Sequence, residues 1–102
     1  MIIRIVKMEF EESKVPDFLR NFYASSDTIR AFPGCSHVAL LRDEADSCVF
    51  FTYSHWDSED HLNAYRDSDF FRTVWAGTKK LFRCAPQAWS LKDHISLESS
   101  GA

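Results

Sequence analysis

Cys48-Val49-Phe50-Phe51-Thr52-Tyr53-Ser54-His55-Trp56 is the stretch on which the reading of the chain turns. Aromatic and β-branched residues fill it, and such side chains suit a pleated, packed surface, so it reads as a strand. Immediately before it, Asp43-Glu44-Ala45-Asp46-Ser47 is a polar turn, and the short apolar stretch from Cys35 to Arg42 reads as a second strand. So short a connection makes the two an antiparallel hairpin.

Phe32-Pro33-Gly34 is a stop signal in front of the hairpin, because Pro and Gly both interrupt a helix. Upstream of it Val15, Phe18, Leu19, Phe22, Ser26 and Ile29 recur at helical spacing, and Pro16 suits a first helical turn, so residues of about 14–31 form an amphipathic helix. Before that helix, Ile2 to Phe10 is dominated by Ile and Val. Ile2, Val6, Met8 and Phe10 share one parity, with Arg4 as the polar exception, which marks a strand. Downstream of the hairpin, Asp57-Ser58-Glu59-Asp60 supplies a capping side chain and acids for a first helical turn. Leu62 and Tyr65 begin the buried face. Asp67-Ser68-Asp69 is a second start signal, so the helix breaks and resumes. Phe71, Val74, Trp75, Thr78 and Phe82 then carry the stripe until Ala85-Pro86 ends it. Pro86 to Lys92 alternates as a last strand, and residues 96–102 are a flexible polar tail outside a single domain of residues 1–95.

The order is βαββαβ, an α+β chain. Two split βαβ units in this order give a ferredoxin-like antiparallel sheet with two helices on one face. The strands are apolar on both parities: Ile3 and Ile5 oppose Ile2 and Val6, and Phe51 and Tyr53 oppose Phe50 and Trp56. Two helices cover one face only, so the other face calls for a partner chain, and a symmetric homodimer is the simplest one.

Composition narrows the function classes. The chain has 102 residues, 45% hydrophobic and 15% aromatic, an ordinary globular make-up of one domain's size. No apolar run approaches the ~20 residues of a membrane helix, and the N-terminus lacks a signal-peptide layout. A net charge of -3 speaks against a nucleic-acid partner, which calls for a basic patch. Cys35, Cys48 and Cys84 are odd in number and match no zinc spacing, so no metal site is expected. They read as small buried hydrophobes with reduced thiols, in a cytoplasmic protein.

Four histidines are available: His37, His55, His61 and His94. With a tight turn at 43–47, His37 faces Tyr53 and Cys35 faces His55, and cross-strand partners share a face. His37, Tyr53 and His55 then make the only polar cluster on apolar strands, and parity does not say whether that face meets the helices or a partner. His61, early in a helix, reads as a surface or dimer-edge residue, and His94 as exposed. Arg4 either binds an anionic group of a ligand or pairs with an acid at the sheet edge.

Phe32-Pro33-Gly34-Cys35, Tyr53-Ser54-His55-Trp56-Asp57-Ser58-Glu59 and Leu62-Asn63-Ala64-Tyr65-Arg66-Asp67-Ser68-Asp69-Phe70-Phe71 together resemble the antibiotic biosynthesis monooxygenase family over about residues 1–92. That resemblance implies a dimeric α+β barrel, in which two sheets close face to face. It also implies a choice of chemistries: oxygenation of quinols and polyketides without a cofactor, haem degradation, or isomerisation. The haem-degrading branch uses an asparagine, a tryptophan and an iron-ligating histidine where this chain has Val6, Tyr65 and Trp75, and Trp75 cannot ligate iron. Many oxygenase members carry a histidine at the position of Tyr65 and a glutamate at that of Ser54.

Cofactor-free oxygenation asks little of a protein: an apolar pocket for an electron-rich ring, a base near neutral pH and hydrogen bonds to the developing oxyanion. His37, Tyr53 and His55 are the candidate catalytic group, His being the natural base at neutral pH. Arg4, Tyr65, Phe71 and Trp75 are the candidate substrate-binding residues. The expected function is a monooxygenase of the resembled type, acting on a small aromatic, quinol-like or polyketide-like molecule with no cofactor. The alternative is a non-catalytic or isomerising barrel that binds a small hydrophobic ligand.

Overall fold

The protein is described here by a computed structural model covering residues 1–95; the polar tail expected at 96–102 lies outside the described residues. In chain order the elements are β1 (Ile2–Glu9), a single 3-10 turn (Glu12–Lys14), α1 (Val15–Arg30), β2 (Cys35–Arg42), β3 (Val49–Trp56), α2 (Glu59–Arg66), α3 (Asp69–Lys79) and β4 (Gln87–Leu91). The four strands form one antiparallel sheet in the order β2-β3-β1-β4. This is the ferredoxin-like α+β arrangement, with the helices packed on one face. The second helix is two, as the repeated start signals require. The Ser58 hydroxyl accepts from the His61 N–H at 3.2 Å to open α2, and the Ser68 hydroxyl accepts from the Phe71 N–H at 3.1 Å to open α3. None of the described helices is long and apolar enough to cross a membrane.

The apolar stripes meet in two clusters against the sheet's inner face. At one end Met8, Phe10, Val15, Phe18, Cys48, Phe50 and Leu81 are buried together. Phe10 stacks on Phe18 with ring centroids 4.0 Å apart, and Phe18 meets Phe50 at 5.2 Å. At the other end Cys35, Trp56 and Leu62 close a smaller cluster. Between these two ends the sheet and helices stand apart, and the space left there is the site described below.

Three expectations are corrected. Helix α3 ends at Lys79, before Phe82. The chain turns away so that Phe82 bridges Phe10, the Leu81 carbonyl accepts from Glu11 N–H, and Arg83 N–H donates to the Glu9 carbonyl; pairing with the end of β1 replaces the last helical turns. The hairpin register also differs. The Asp43 carboxylate accepts from the Ala45 and Asp46 N–H groups, and the Asp46 carboxylate from the Cys48 N–H, so the turn takes in Cys48 as well. His37 therefore faces His55, and Tyr53 faces Ala39. A shift of two residues preserves parity, and His37, Tyr53 and His55 remain on one face. Cys35 does not join them. An irregularity between Cys35 and His37 sets Cys35 opposite Trp56, on the helix side. Finally, Cys35 and Cys48 are buried as expected, but Cys84 is exposed, its thiol 2.8 Å from a Glu9 carboxylate oxygen.

Gly34 fixes the entry to β2. Its φ of +83° suits glycine, and a Cβ there would collide with the His61 ring. Its carbonyl accepts from Asp57 N–H at 2.8 Å, tying the start of β2 to the end of β3.

Candidate active site

Strand alternation gives the sheet two different faces. On the helix side, cross-strand rows run Ala88–Val6–Thr52–Leu40 and Ser90–Arg4–Ser54–Val38. On the other side they run Trp89–Ile5–Tyr53–Ala39 and Leu91–Ile3–His55–His37. These rows decide which candidates can meet one another.

The inner rows floor a cavity of about 320 Å³ between sheet and helices, within the range of small-molecule sites. Phe18, Phe22 and Ile29 reach it from α1, Leu62, Tyr65 and Arg66 from α2, and Phe71, Val74, Trp75 and Thr78 from α3. Its aromatic wall is continuous. Trp56 stacks on Tyr65 at 4.9 Å, Tyr65 meets Phe71 edge-on at 5.1 Å, and Phe71 stacks on Trp75 at 5.9 Å. The helical stripe supplies these rings, because Phe71 and Trp75 stand four residues apart on α3 and so share one face. All four expected substrate-binding residues, Arg4, Tyr65, Phe71 and Trp75, line this one cavity.

Its polar groups are few. Arg4 lies between two serines, Ser54 on β3 and Ser90 on β4. Its guanidinium donates to the Ser90 hydroxyl at 2.9 Å, and among the described residues it forms no ion pair with an acid, so the expected pairing at the sheet edge is not made. Burial, and then the neighbouring Arg66 charge, pull its pKa below the usual arginine value. Ser54 is buried and its hydroxyl accepts from the Trp56 indole N–H at 3.0 Å, which leaves the Ser54 O–H to donate. Burial drives the Tyr65 phenol up to about 12, so it stays protonated at neutral pH and can donate a hydrogen bond but not take a proton.

His37, Tyr53 and His55 do come together, with ring centroids 5.0–5.8 Å apart, but on the face away from the helices. None of the three lines the cavity. The His55 Nε2 is buried, with no hydrogen-bond partner among the described residues. His61 hydrogen-bonds through Nδ1 to the Ser58 hydroxyl at 2.7 Å and packs over Gly34, and His94 is exposed.

Arg66 and the donor role of Ser54 are what sequence reasoning missed. Arg66 follows Tyr65 directly and looks like an ordinary cation at a helix C-terminus. Only the docking of α2 against β3 brings it to the cavity. The hint for Ser54 was its place opposite Arg4, which a hairpin register alone does not give.

Comparison with known proteins agrees with this fold. Residues 1–76 match the family model described as antibiotic biosynthesis monooxygenase. No curated protein matches in sequence. Among solved structures, one described as an antibiotic biosynthesis monooxygenase superposes with a TM-score of 0.87 at 15% identity, over 93% of this chain and 100% of that one. A conserved protein from Methanosarcina mazei Go1 gives 0.85 at 16% identity, over 90% and 92% of the two chains. A protein from Mycobacterium tuberculosis gives 0.86 at 14% identity, over 95% and 98%. At such identities the structural likeness is one of fold, and the family assignment rests on the model matching three quarters of the sequence. The chain belongs to the antibiotic biosynthesis monooxygenase family.

Proposed function

We propose that this protein is a cofactor-independent monooxygenase of a small aromatic, quinol-like or polyketide-like substrate, which it holds in the helix-side cavity. The observation that carries the reading is the Arg4 guanidinium set in the floor of a cavity along whose wall run the rings of Trp56, Tyr65, Phe71 and Trp75. A phenol bound there releases its proton to water more readily than in bulk solution, because an adjacent cation favours the phenolate. Ser54 and the protonated Tyr65 donate toward the oxyanion. The electron-rich anion then reacts with dioxygen. For a hydroquinone the balance is complete without further reductant: hydroquinone plus dioxygen gives a hydroxylated quinone plus water. One oxygen atom forms the new C–O bond, the other leaves as water with two substrate hydrogens, and the substrate supplies all four electrons.

An oxygen electrode with naphthohydroquinone tests this. Uptake above buffer autoxidation is expected, falling about a hundredfold or more in Arg4→Gln, the scale of losing one oxyanion donor. Uptake no faster than buffer contradicts the reading. A catalytic role for His37, Tyr53 and His55 requires the substrate on the sheet's other face. The His37→Ala, His55→Ala double variant separates the two: retained uptake assigns the reaction to the cavity, lost uptake to the outer face.

The working form is a homodimer. The outer rows are apolar, and Leu41, Trp89 and Leu91 are exposed on that face. A second copy covering it gives the dimeric α+β barrel. Sedimentation at micromolar concentration should show twice the 11.8 kDa subunit mass, and Ile5→Glu, which sets a charge in the middle of the face, should halve it. The free cysteines Cys35, Cys48 and Cys84 support a reducing, cytoplasmic setting.

One observation favours the second reading, a non-catalytic or isomerising barrel that binds a small hydrophobic ligand. No histidine lines the cavity, so it lacks a base that titrates near neutral pH. Naphthol binding with no oxygen uptake from any hydroquinone supports that reading.

A further inference from the structure

We infer that the cavity selects an aromatic or fused-ring molecule carrying a carboxylate, with the anionic group held between Arg4 and Arg66 and the rings along the Tyr65–Phe71–Trp75 wall. The inference rests on the cavity being the ligand site, as proposed above, and adds the charge of what enters it.

Two cations line one cavity whose walls are otherwise aliphatic, aromatic or neutral polar. Arg4 projects from the sheet and Arg66 from the last turn of α2, so they arrive from opposite sides of the space. They lie near enough that the charge on Arg66 disfavours the charge on Arg4. Like charges at close range cost stability, and a protein ordinarily relieves the cost with a carboxylate. Among the described residues no acid forms an ion pair with either; the acids in ion pairs, Asp17, Glu9 and Asp46, serve Arg20 and Arg83 elsewhere. An anion delivered by the ligand relieves the repulsion. A carboxylate also suits the geometry of guanidinium groups, which bind its two oxygens in the plane.

The neutral polar groups fit the same orientation. Ser90 takes one Arg4 N–H at 2.9 Å and so holds the guanidinium in place. Ser54, the opposite neighbour of Arg4, has its hydroxyl oxygen engaged by Trp56 at 3.0 Å and its proton free to donate to the same anion. The volume of about 320 Å³ suits one or two fused rings with a single substituent rather than a large polycycle.

Titration calorimetry at about pH 6, where naphthoate is charged and naphthol, a molecule of nearly the same shape, stays protonated, decides the matter. Naphthoate is expected to bind about tenfold or more tightly than naphthol, and the preference should shrink with added salt. In Arg66→Gln, an exposed helix position that tolerates the change, and separately in Arg4→Gln, the preference should fall toward unity. Trp75→Ala should weaken both ligands together, by about tenfold. Equal binding of the two ligands, lost in Trp75→Ala, overturns the charge selection while leaving the cavity as the ligand site. A preference for naphthoate that survives both arginine variants overturns it as well. Failure of both ligands to bind removes the cavity reading itself and this inference with it.

Discussion

Phe50 and Phe51 are neighbours in the chain and stand on opposite faces of one sheet. Phe50 is 2% exposed, packed against Phe18 and capped by the Arg42 guanidinium 4.8 Å from its ring. Phe51 shares the outer face with Lys7 and Leu41. Both faces are rich in apolar side chains, and what separates them is what covers them. The helices seal the inner face at both ends and leave a cavity in the middle, where Arg4 and Ser54 give it polarity. The outer face carries His37, Tyr53 and His55, with no helix of the described residues above it. A chain of this kind has one face to bind a ligand and one to meet another surface, and alternation along each strand allots every residue to one of the two.

The largest effect that would sharpen this contrast is in the core. Phe50→Ala should cost about 3–5 kcal/mol of unfolding free energy, measured by urea denaturation, and Phe51→Ala less than half as much. Equal losses would break the distinction. Next is the point where the chain changes faces. Gly34→Ala forces a side chain into a positive-φ position and against His61, and should cost about 1–3 kcal/mol by the same measurement. A neutral substitution there would mean that the turn does not hold Cys35 on the inner face.

Tyr65 provides a pH test of the inner face alone. Its phenol titrates near 10 when unfolded and is pushed up to about 12 in the fold by burial. A group with a raised folded pKa contributes its stabilisation fully below the unfolded value and loses it as pH climbs through the folded one. Stability should therefore fall between about pH 10 and 12. That segment should be absent in Tyr65→Phe, and the difference in phenolate absorbance between wild type and this variant isolates the ionisation of Tyr65. Ionisation of Tyr65 near pH 10 without loss of structure would place it in water. The smallest effect is on the histidines: His37→Ala with His55→Ala should change naphthol affinity by less than about twofold, since neither lines the cavity. A tenfold loss would move the ligand to the outer face.

Much of this was legible in the sequence. Two periodicities, alternation in the strands and the helical stripe, gave the element order, and the paired start signals at Ser58 and Ser68 gave the broken helix. Arg4 stood out because it interrupts an apolar parity, and the stripe through Tyr65, Phe71 and Trp75 marked the wall. What was not legible depends on backbone detail. The carboxylates of Asp43 and Asp46 bind local N–H groups and lengthen the turn, which shifts the register by two. The irregularity after Cys35 reverses one residue's face, and no propensity marks it in advance. Parity grouped the two strand histidines correctly yet could not tell which side the helices take, and that alone decides whether they meet the ligand.

Methyl NMR with naphthol added to the wild-type protein tests most directly that the two faces have different occupants. Shifts confined to Val6, Val38, Leu62 and Val74, all cavity residues, with Ile3, Ile5 and Leu41 unmoved, are the expected result. Shifts at Ile3, Ile5 and Leu41 with the cavity methyls unmoved would contradict it.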